Sequence, residues 1–203
     1  MTRPDAKLPA GRRPATGLSK DEVTGIQRTR MLFAMADAVA DLGYHEVSVA
    51  EVVARAGVSR ATFYEQFEDR QDCFLAAFDF AAQTVQDALR AALPPRRDPA
   101  AFGRLLSLYL DTLVANQAFA SVFLVHVHAA GPEGFRRRAA SQAVFAAALA
   151  AMFGARTVQE RFACEALVAA MSSLTSARLA VGDIEGLRAL EGPITRLATT
   201  LLG

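Results

Sequence analysis

The stretch that most restricts the fold of this chain is a pair of short helical segments separated by a glycine turn. Residues 46–70 read EVSVAEVVARAGVSRATFYEQFEDR. Ser48 and Glu51 have the spacing of a capping box, in which the serine hydroxyl accepts from the glutamate amide and the glutamate side chain reaches back. Gly57 supplies the left-handed backbone of a sharp turn, and Ser59 is placed to cap a second helix. The segment therefore predicts two helices fixed by a tight turn.

The second of these helices, expected over residues 59–66, is too short to be stable alone. Phe63 and Phe67 must therefore hold it against the rest of the domain. Its other face carries small and polar side chains together with an arginine. Arginine reads guanine edges, small residues permit close approach, and hydroxyls bind phosphates. The residues expected at a DNA-binding surface are Ser48, Ser59, Arg60, Ala61, Thr62, Tyr64, Gln66 and Arg70.

Four motifs, in order and at regular spacing, extend this pattern. They are Leu42-Gly43-Tyr44, Ala56-Gly57-Val58-Ser59, Phe63-Tyr64 and Phe67-Glu68-Asp69-Arg70. From about residue 24 to residue 80 the chain thereby resembles the amino-terminal domain of the tetracycline-repressor (TetR) family of bacterial transcription regulators. A helical hairpin in an ordinary core is the competing interpretation. The agreement of cap, turn and aromatic pair favours DNA binding over it.

The resemblance implies a role for each of these side chains. Arg60 and Ser59 are expected to read bases. The expected phosphate ligands are Thr62, Tyr64, Ser48 and Arg70. The chain departs from the family's usual residues at three places, where Gln66 replaces a frequent histidine, Arg70 a frequent lysine and Cys73 a frequent leucine. Arg70 keeps the positive charge, although a guanidinium is a planar fork and an ammonium is a point donor.

The composition suits an all-α protein without catalytic or membrane-spanning segments. Apolar residues make up 52% of the 203 residues, and tryptophan is absent. Cys73 and Cys164 lie far apart within helical patterns, which predicts two reduced, packed thiols in a cytoplasmic protein. We find no secretory signal, no apolar run of about 20 residues and no catalytic motif. We therefore expect no enzyme activity, no cofactor and no contact with a membrane.

The charge of the chain is nearly balanced, with a formal net value of +1, and is concentrated at the amino terminus. Within residues 1–20, one acid, Asp5, accompanies five basic residues, which are Arg3, Lys7, Arg12, Arg13 and Lys20. Proline and glycine are also frequent there, so residues 1–19 are expected to form a disordered basic leader. Contact of this leader with DNA and a solvated leader without a role both remain open.

The remaining sequence predicts about nine helices in two parts. Residues 20–68 form a three-helix DNA-binding domain that contains the helix-turn-helix, and residues 69–203 form a helical effector-binding and dimerisation domain. Prolines and glycines divide the helices. Their expected ranges are 20–42, 48–56, 59–66, 69–92, 98–116, 119–127, 131–153, 157–181, 184–190 and a last helix from Pro193 to the carboxyl terminus.

The resemblance implies that this helical body dimerises and binds a small molecule. The homodimer is expected through helices in residues 157–202, and two recognition helices would bind a pseudo-palindromic operator. The expected effector is a small, largely apolar molecule that releases a repressor from DNA. A body that binds a protein partner in place of a small molecule is the alternative. The candidate ligand residues are Phe78, Tyr109, Phe119, Phe123, His126, Phe145 and Phe162.

Three other features of the body have simple structural interpretations. Phenylalanines at helical spacing are more often ordinary core residues than ligand contacts. His126 and His128 would point to nearly opposite sides of an α-helix, so no metal site is expected. The run Arg136-Arg137-Arg138 is expected on a solvated helix face and its edges, with a site for an acidic ligand as the alternative.

Overall fold

A computed structural model of the chain describes residues 17, 19–93 and 101–202. Over these residues it is all-helical, which confirms the predicted fold class. The basic leader and the proline-rich segment 94–99 fall outside the described residues, apart from Gly17 and Ser19. The described part forms ten α-helices, listed here in chain order: α1 Lys20–Leu42, α2 Val49–Ala56, α3 Arg60–Tyr64, α4 Arg70–Ala92, α5 Phe102–Ala115, α6 Gln117–Ser121, α7 Gly131–Phe153, α8 Val158–Ala180, α9 Ile184–Arg188 and α10 Glu191–Leu202.

The helix boundaries follow local signals in the sequence. Helix α1 ends at Gly43 with φ 82°, and α7 ends at Gly154 with φ 67°. Thr157 and Glu160 form a complete capping box at the start of α8. The single compact helix predicted over residues 119–127 was wrong: α6 is followed by a π-helical turn, Val122–His126, and a 3-10 turn, Val127–Ala130.

Helix α1 lies at the centre of the amino-terminal part. It packs on α2, α4 and α6, and its inner face is fully buried. Helix α4 begins beside the helix-turn-helix and continues into the body, where it packs on α5 and α7. Its core residues Phe74, Phe78 and Val85 are at most 5% exposed. The two parts therefore share one continuous hydrophobic core, and α4 joins them without a flexible linker.

The body is built from α5, α7, α8 and α10, with the short α9 closing one end. The inward-facing side chains of α5 are all buried, namely Phe102, Leu105, Leu106, Tyr109 and Leu113. Cys73 and Cys164 are buried free thiols, as predicted. Burial raises the pKa of the Cys73 thiol, so this group is an inert core residue at neutral pH.

No single helix among the described residues is long and apolar enough to cross a membrane. By length and composition, the bent pair Phe102–Ala115 and Gln117–Phe153, whose two parts make an angle of 106°, passes the same test when taken together.

Candidate nucleic-acid interface and ligand cavity

Helix α2 begins with half of the predicted capping box. The Ser48 hydroxyl accepts from the Glu51 amide at 3.2 Å, as expected. The Glu51 carboxylate does not reach back, because it accepts from Arg55 Nε at 2.7 Å. Arg55 also donates to Asp41 at 2.6 Å, which ties α2 to the end of α1. A charged partner one turn away thus replaces the weaker bond to the cap, and both carboxylates raise the pKa of Arg55.

The turn between α2 and α3 requires glycine for two reasons. Gly57 has φ 65° and ψ 40°, the left-handed conformation that other residues adopt at a cost. A Cβ added at this position would lie 2.7 Å from Nη2 of Arg30, so the arginine would also have to move. The turn therefore depends on the absence of a side chain.

Helix α3 is shorter than predicted, but its cap is the predicted one. The Ser59 hydroxyl accepts from the Thr62 amide at 3.0 Å. The same hydroxyl lies 2.9 Å from Oγ1 of Thr62, so the two side chains form a pair at the start of the helix. If either side chain contacts a base or a phosphate, its hydroxyl must do so while it is part of this pair.

The inner face of α3 is held by aromatic rings and by an arginine of α1. Phe63 is fully buried, and its ring centroid lies 5.4 Å from that of Phe67. The Arg28 guanidinium lies 4.4 Å above the Phe67 ring and donates to the Gln66 carbonyl at 3.0 Å. Sequence reasoning missed Arg28, since no local pattern connects two residues 38 positions apart.

The outer face of α3 carries the side chains expected to meet DNA. Arg60, Ala61 and Tyr64 are exposed, and Tyr64 keeps 57% of its surface accessible. Arg60 forms no hydrogen bond or ion pair with any residue that the structure describes, so its guanidinium is available to an external acceptor. Gln66 is half-buried at the edge of this face.

Arg70 has a different environment from the one that its predicted phosphate contact requires. Its Nη1 donates to the carbonyls of Tyr44, His45 and Val47 at 2.6, 3.2 and 2.9 Å. Its guanidinium also lies 4.5 Å above the Tyr44 ring. Arg70 therefore fastens the start of α4 to the loop between α1 and α2. No local pattern indicates this structural role, because these acceptors lie more than twenty positions upstream in the chain, and the phosphate contact of Arg70 stays a prediction.

The body contains an apolar cavity of about 140 Å³ between α4, α5, α7 and α8. Three of the predicted ligand residues line it: Tyr109, Phe123 and Phe145. Further lining residues from α5, α7 and α8 were not among the predicted ligand contacts, namely Phe102, Leu105, Leu106, Arg138, Gln142, Leu149, Met152, Val168, Met171 and Ser172. Apolar residues of this kind give no sequence signal that separates a cavity wall from a filled core.

The other four predicted ligand residues do not line this cavity. Phe78 is buried and packs against Phe123 with ring centroids 5.3 Å apart. Phe119 packs between two other rings and borders a separate void of about 20 Å³. His126 is half-buried elsewhere, and burial lowers its pKa. Phe162 is 68% exposed on the outside of α8, because the inner face of that helix is formed by residues such as Leu167.

Arg138 was expected near a solvated face and is instead 5% exposed. Its guanidinium lies 4.9 Å above the Phe123 ring, donates to the Phe123 carbonyl at 3.4 Å and contacts the Ser172 hydroxyl. Burial lowers the pKa of this arginine. Its neighbours Arg136 and Arg137 remain at the surface, where both pair with Glu133. Of the three consecutive arginines, two therefore lie at the surface and Arg138 lies at the cavity.

The outer face of α8 is apolar and uncovered in the single chain. Val158 is 83% exposed and Phe162 is 68% exposed, and the small residues Ala169, Ser173 and Ala177 continue the same face. Leu197 and Leu201 of α10 are also exposed, at 39% and 44%. Two other small residues of α8 point inward: the Ser172 hydroxyl accepts from Arg138, and the Ser176 hydroxyl donates to the Leu124 carbonyl.

The histidines lie on the π-helical and 3-10 turns that follow α6. His128 is exposed, and its ring centroid lies 4.6 Å from that of Phe135. Within the described part of the chain, no group of three or more histidine, cysteine or acidic residues is placed to hold a metal ion.

Comparison with known proteins identifies the amino-terminal helices. The pattern of the family described as "Bacterial regulatory proteins, tetR family" matches residues 36–77. The "HTH-type transcriptional activator FasR" of Mycolicibacterium smegmatis (strain ATCC 700084 / mc(2)155) is 31% identical over 93 residues. That match covers 45% of this chain and 41% of FasR, so the similar part spans about two fifths of the relative's length.

Solved structures extend the similarity to the body at the level of the fold. The "fatty acid degradation regulator FadR from Bacillus halodurans" superposes with a TM-score of 0.74 at 19% identity, over 87% of this chain and 95% of FadR. A TetR-like transcriptional regulator from Rhodococcus sp. RHA1 gives 0.69 at 19% identity, over 87% and 97% of the two chains. These relatives are described as regulators and none as an enzyme. With the helix-turn-helix in place, the amino-terminal domain of the chain belongs to the tetR family of bacterial regulatory proteins over residues 36–77, and the rest of the chain is similar in fold to solved regulators.

Proposed function

We propose that this protein is a DNA-binding transcription regulator that binds a pseudo-palindromic operator as a homodimer and is released by a small, largely apolar ligand. The observation that supports the proposal is the exposed face of α3. There Arg60, which has no partner among the described residues, lies beside small and hydroxyl-bearing residues, and the inner side of the helix is held by Arg28 and Phe67. Arg60 is assigned the contact with base edges, and Thr62 and Tyr64 the contacts with phosphates.

Two substitutions at one position test the DNA contact. Arg60→Ala removes both the charge and the bidentate fork, whereas Arg60→Lys keeps the charge alone. After selection of bound fragments from random duplex DNA, the unaltered protein is expected to give a palindromic consensus. Both variants should relax one base position in each half-site, and only Arg60→Ala should lower the slope of log affinity against log salt, by about one. An unchanged consensus in both variants excludes base reading by Arg60.

The homodimer is proposed because one short recognition helix offers too little contact for a selective site. The exposed apolar face of α8 and α10 is the surface that a second copy would cover. Phe162→Lys is expected to give monomers in sedimentation at micromolar concentration. The matched control is Leu42→Lys, since Leu42 is 45% exposed but lies in the DNA-binding part. A monomeric parent protein, or a dimeric Phe162→Lys variant, contradicts this interface.

Control by a ligand is proposed from the course of α4. The last turns of this helix line the cavity through Gln86, Leu89 and Leu93. Its first turns are tied to the body, because Gln71 donates to the Ala130 carbonyl at 3.0 Å and Asp79 pairs with Arg137. A molecule that enters the cavity therefore touches the helix that starts beside the helix-turn-helix. Displacement of α4 would change the separation of the two recognition helices.

The chemistry of the effector is suggested by the cavity and by one relative. FadR is described as a regulator of fatty acid degradation. The cavity here is mainly apolar, so an acyl compound is the class that we propose. Stabilisation in a thermal-shift screen together with release of the selected DNA is the expected result. FasR is described as an activator, so tighter DNA binding with ligand would reverse the sense of regulation.

A further inference from the structure

The inner end of the cavity holds a cation with few partners. Arg138 is 5% exposed, and no carboxylate of the described residues lies within ion-pair distance of it. Its hydrogen bonds go to the Ser172 hydroxyl and to the Phe123 carbonyl, the latter at 3.4 Å. A guanidinium has five N–H donors, so these acceptors leave donors unmatched. Burying a charge costs free energy that neutral acceptors offset only in part.

The orientation of Arg138 leaves its polar edge available. The Phe123 ring lies 4.9 Å from the guanidinium carbon and covers one face of the group. Tyr109 lies near it in the cavity wall. Ser172, whose hydroxyl accepts from Arg138, also lines the cavity. Polar groups therefore lie together at one end of an otherwise apolar space.

The other end of the cavity opens to solvent. Its lining residues Leu93 and Val144 are 39% and 47% exposed, whereas Phe123 at the inner end is 2% exposed. The described lining residues include two arginines and no acid. Arg90 at the mouth pairs with Asp87 at 2.6 Å, whereas Arg138 has no such partner, so the electrostatic field at the inner end favours an anion.

We propose that Arg138 binds the carboxylate of the effector, so that the ligand is a monocarboxylic acid held with its headgroup inward and its acyl chain toward the mouth at Leu93 and Val144. The inference rests on the proposed function in taking this cavity as the effector site. A carboxylate matches the planar fork of a guanidinium and forms short, charge-assisted hydrogen bonds with it.

The volume of the cavity separates the free acid from its coenzyme A thioester. An apolar cavity of about 150 Å³ accommodates a molecule of the size of benzene. A space of about 140 Å³ accordingly accepts a carboxylate with the first part of its chain, and has no room for a nucleotide headgroup at the inner end. A thioester would have to leave its headgroup outside the mouth and present only its chain to Arg138.

The test compares three probes on three proteins. Calorimetric titrations use saturated acids from octanoate to palmitate, their methyl esters and the corresponding acyl-coenzyme A thioesters. The proteins are the full-length chain, Arg138→Met and Arg136→Met. Methionine keeps an apolar side chain of comparable length, and Arg136 is the matched control because it lies two residues away and its side chain is 71% exposed.

The expected result is a preference of the unaltered protein for the acid over its ester. Arg138→Met should lose affinity for the acid by about 30-fold or more, because it removes one partner of a buried charge pair. Its affinity for the ester should stay the same or rise, and Arg136→Met should bind all probes like the parent. Should Arg138→Met fail to fold, the preference of the unaltered protein for acid over ester still decides the matter.

Three results would overturn the assignment. They are absence of binding for every acid, equal affinity for acid and ester, and thioester binding that exceeds acid binding and does not change in Arg138→Met. Operator release is measured separately with the same probes. If acids bind through Arg138 but do not change DNA affinity, the proposed release by ligand is wrong and the assignment of Arg138 to the carboxylate stands. If only the esters release DNA, release by ligand stands and the assignment of Arg138 to the carboxylate is wrong.

Discussion

Arg70 in the amino-terminal part and Arg138 in the body are held by the same kinds of contact, yet they differ in what remains for an external partner. Each stacks over an aromatic ring and donates to a backbone carbonyl. Arg70 has three carbonyl acceptors between 2.6 and 3.2 Å at the edge of the domain. Arg138 has one carbonyl at 3.4 Å and one hydroxyl, deep in an apolar cavity.

The difference separates a structural arginine from a ligand-binding one. The remaining donors of Arg70, which is half-buried at the edge of the domain, can be met by water, whereas those of Arg138 lie in an apolar cavity and favour a bound anion. By this criterion Arg70 organises the DNA-binding part and Arg60 remains free to contact DNA. The four predictions that follow test this contrast from its strongest consequence to its weakest.

The largest effect is expected from Arg70→Ala. The substitution leaves the carbonyls of Tyr44 and Val47 without their charged donor and removes the stacking on the Tyr44 ring. The free energy of unfolding should fall by about 2–3 kcal/mol in urea titrations. Arg60→Ala, on the exposed face of α3, should leave it unchanged. If Arg70→Ala is as stable as the parent and only lowers the salt dependence of DNA binding, Arg70 is a phosphate ligand after all.

Gly57→Ala is expected to have the next largest effect. Its positive φ and the 2.7 Å approach to Arg30 should together lower the free energy of unfolding by about 1–2 kcal/mol. The control is Gly25→Ala on α1, where no atom lies within 4 Å of the added Cβ and φ is not positive. That variant should be unchanged or slightly more stable. Equal effects of both substitutions would show that the turn tolerates a side chain.

The same contrast explains how much the sequence could predict. The limits of α1, α4 and α7 were expected correctly, because serine, aspartate and glycine act on the backbone within a few residues. The helix-turn-helix was recognisable for the same reason. The roles of Arg70 and Arg138 depend on acceptors far along the chain, and packing alone decides whether a phenylalanine such as Phe162 faces a cavity or solvent. Local signals carry no information about such contacts.

A smaller effect is expected at the joint between the two regions. Asp79→Asn removes the anionic partner of Arg137, the residue next to Arg138. Burial raises the pKa of the Asp79 carboxyl despite this partner, so the net stability of the pair is small and unfolding should change by less than about 1 kcal/mol. The change in DNA affinity caused by ligand should nevertheless decrease. The control is Asp111→Asn, which breaks an exposed pair with Arg188 away from α4. If ligand changes the DNA affinity of all three proteins equally, the Asp79–Arg137 contact of α4 has no part in regulation.

The smallest effect concerns pH and the half-buried His126. Burial lowers its pKa, so the unfolded chain binds a proton at a higher pH than the folded protein does. Its contribution to stability is complete above the ordinary histidine pKa of about 6.5 and is lost as the pH falls through the lower folded value. His126→Gln should therefore lose less stability than the parent between neutral and mildly acidic pH, by under about 1 kcal/mol. Part of the slope should remain, since burial also lowers the pKa of His128, with the charge of Arg138 as a second cause. Identical slopes in parent and variant would mean that His126 is as well solvated when folded as when unfolded.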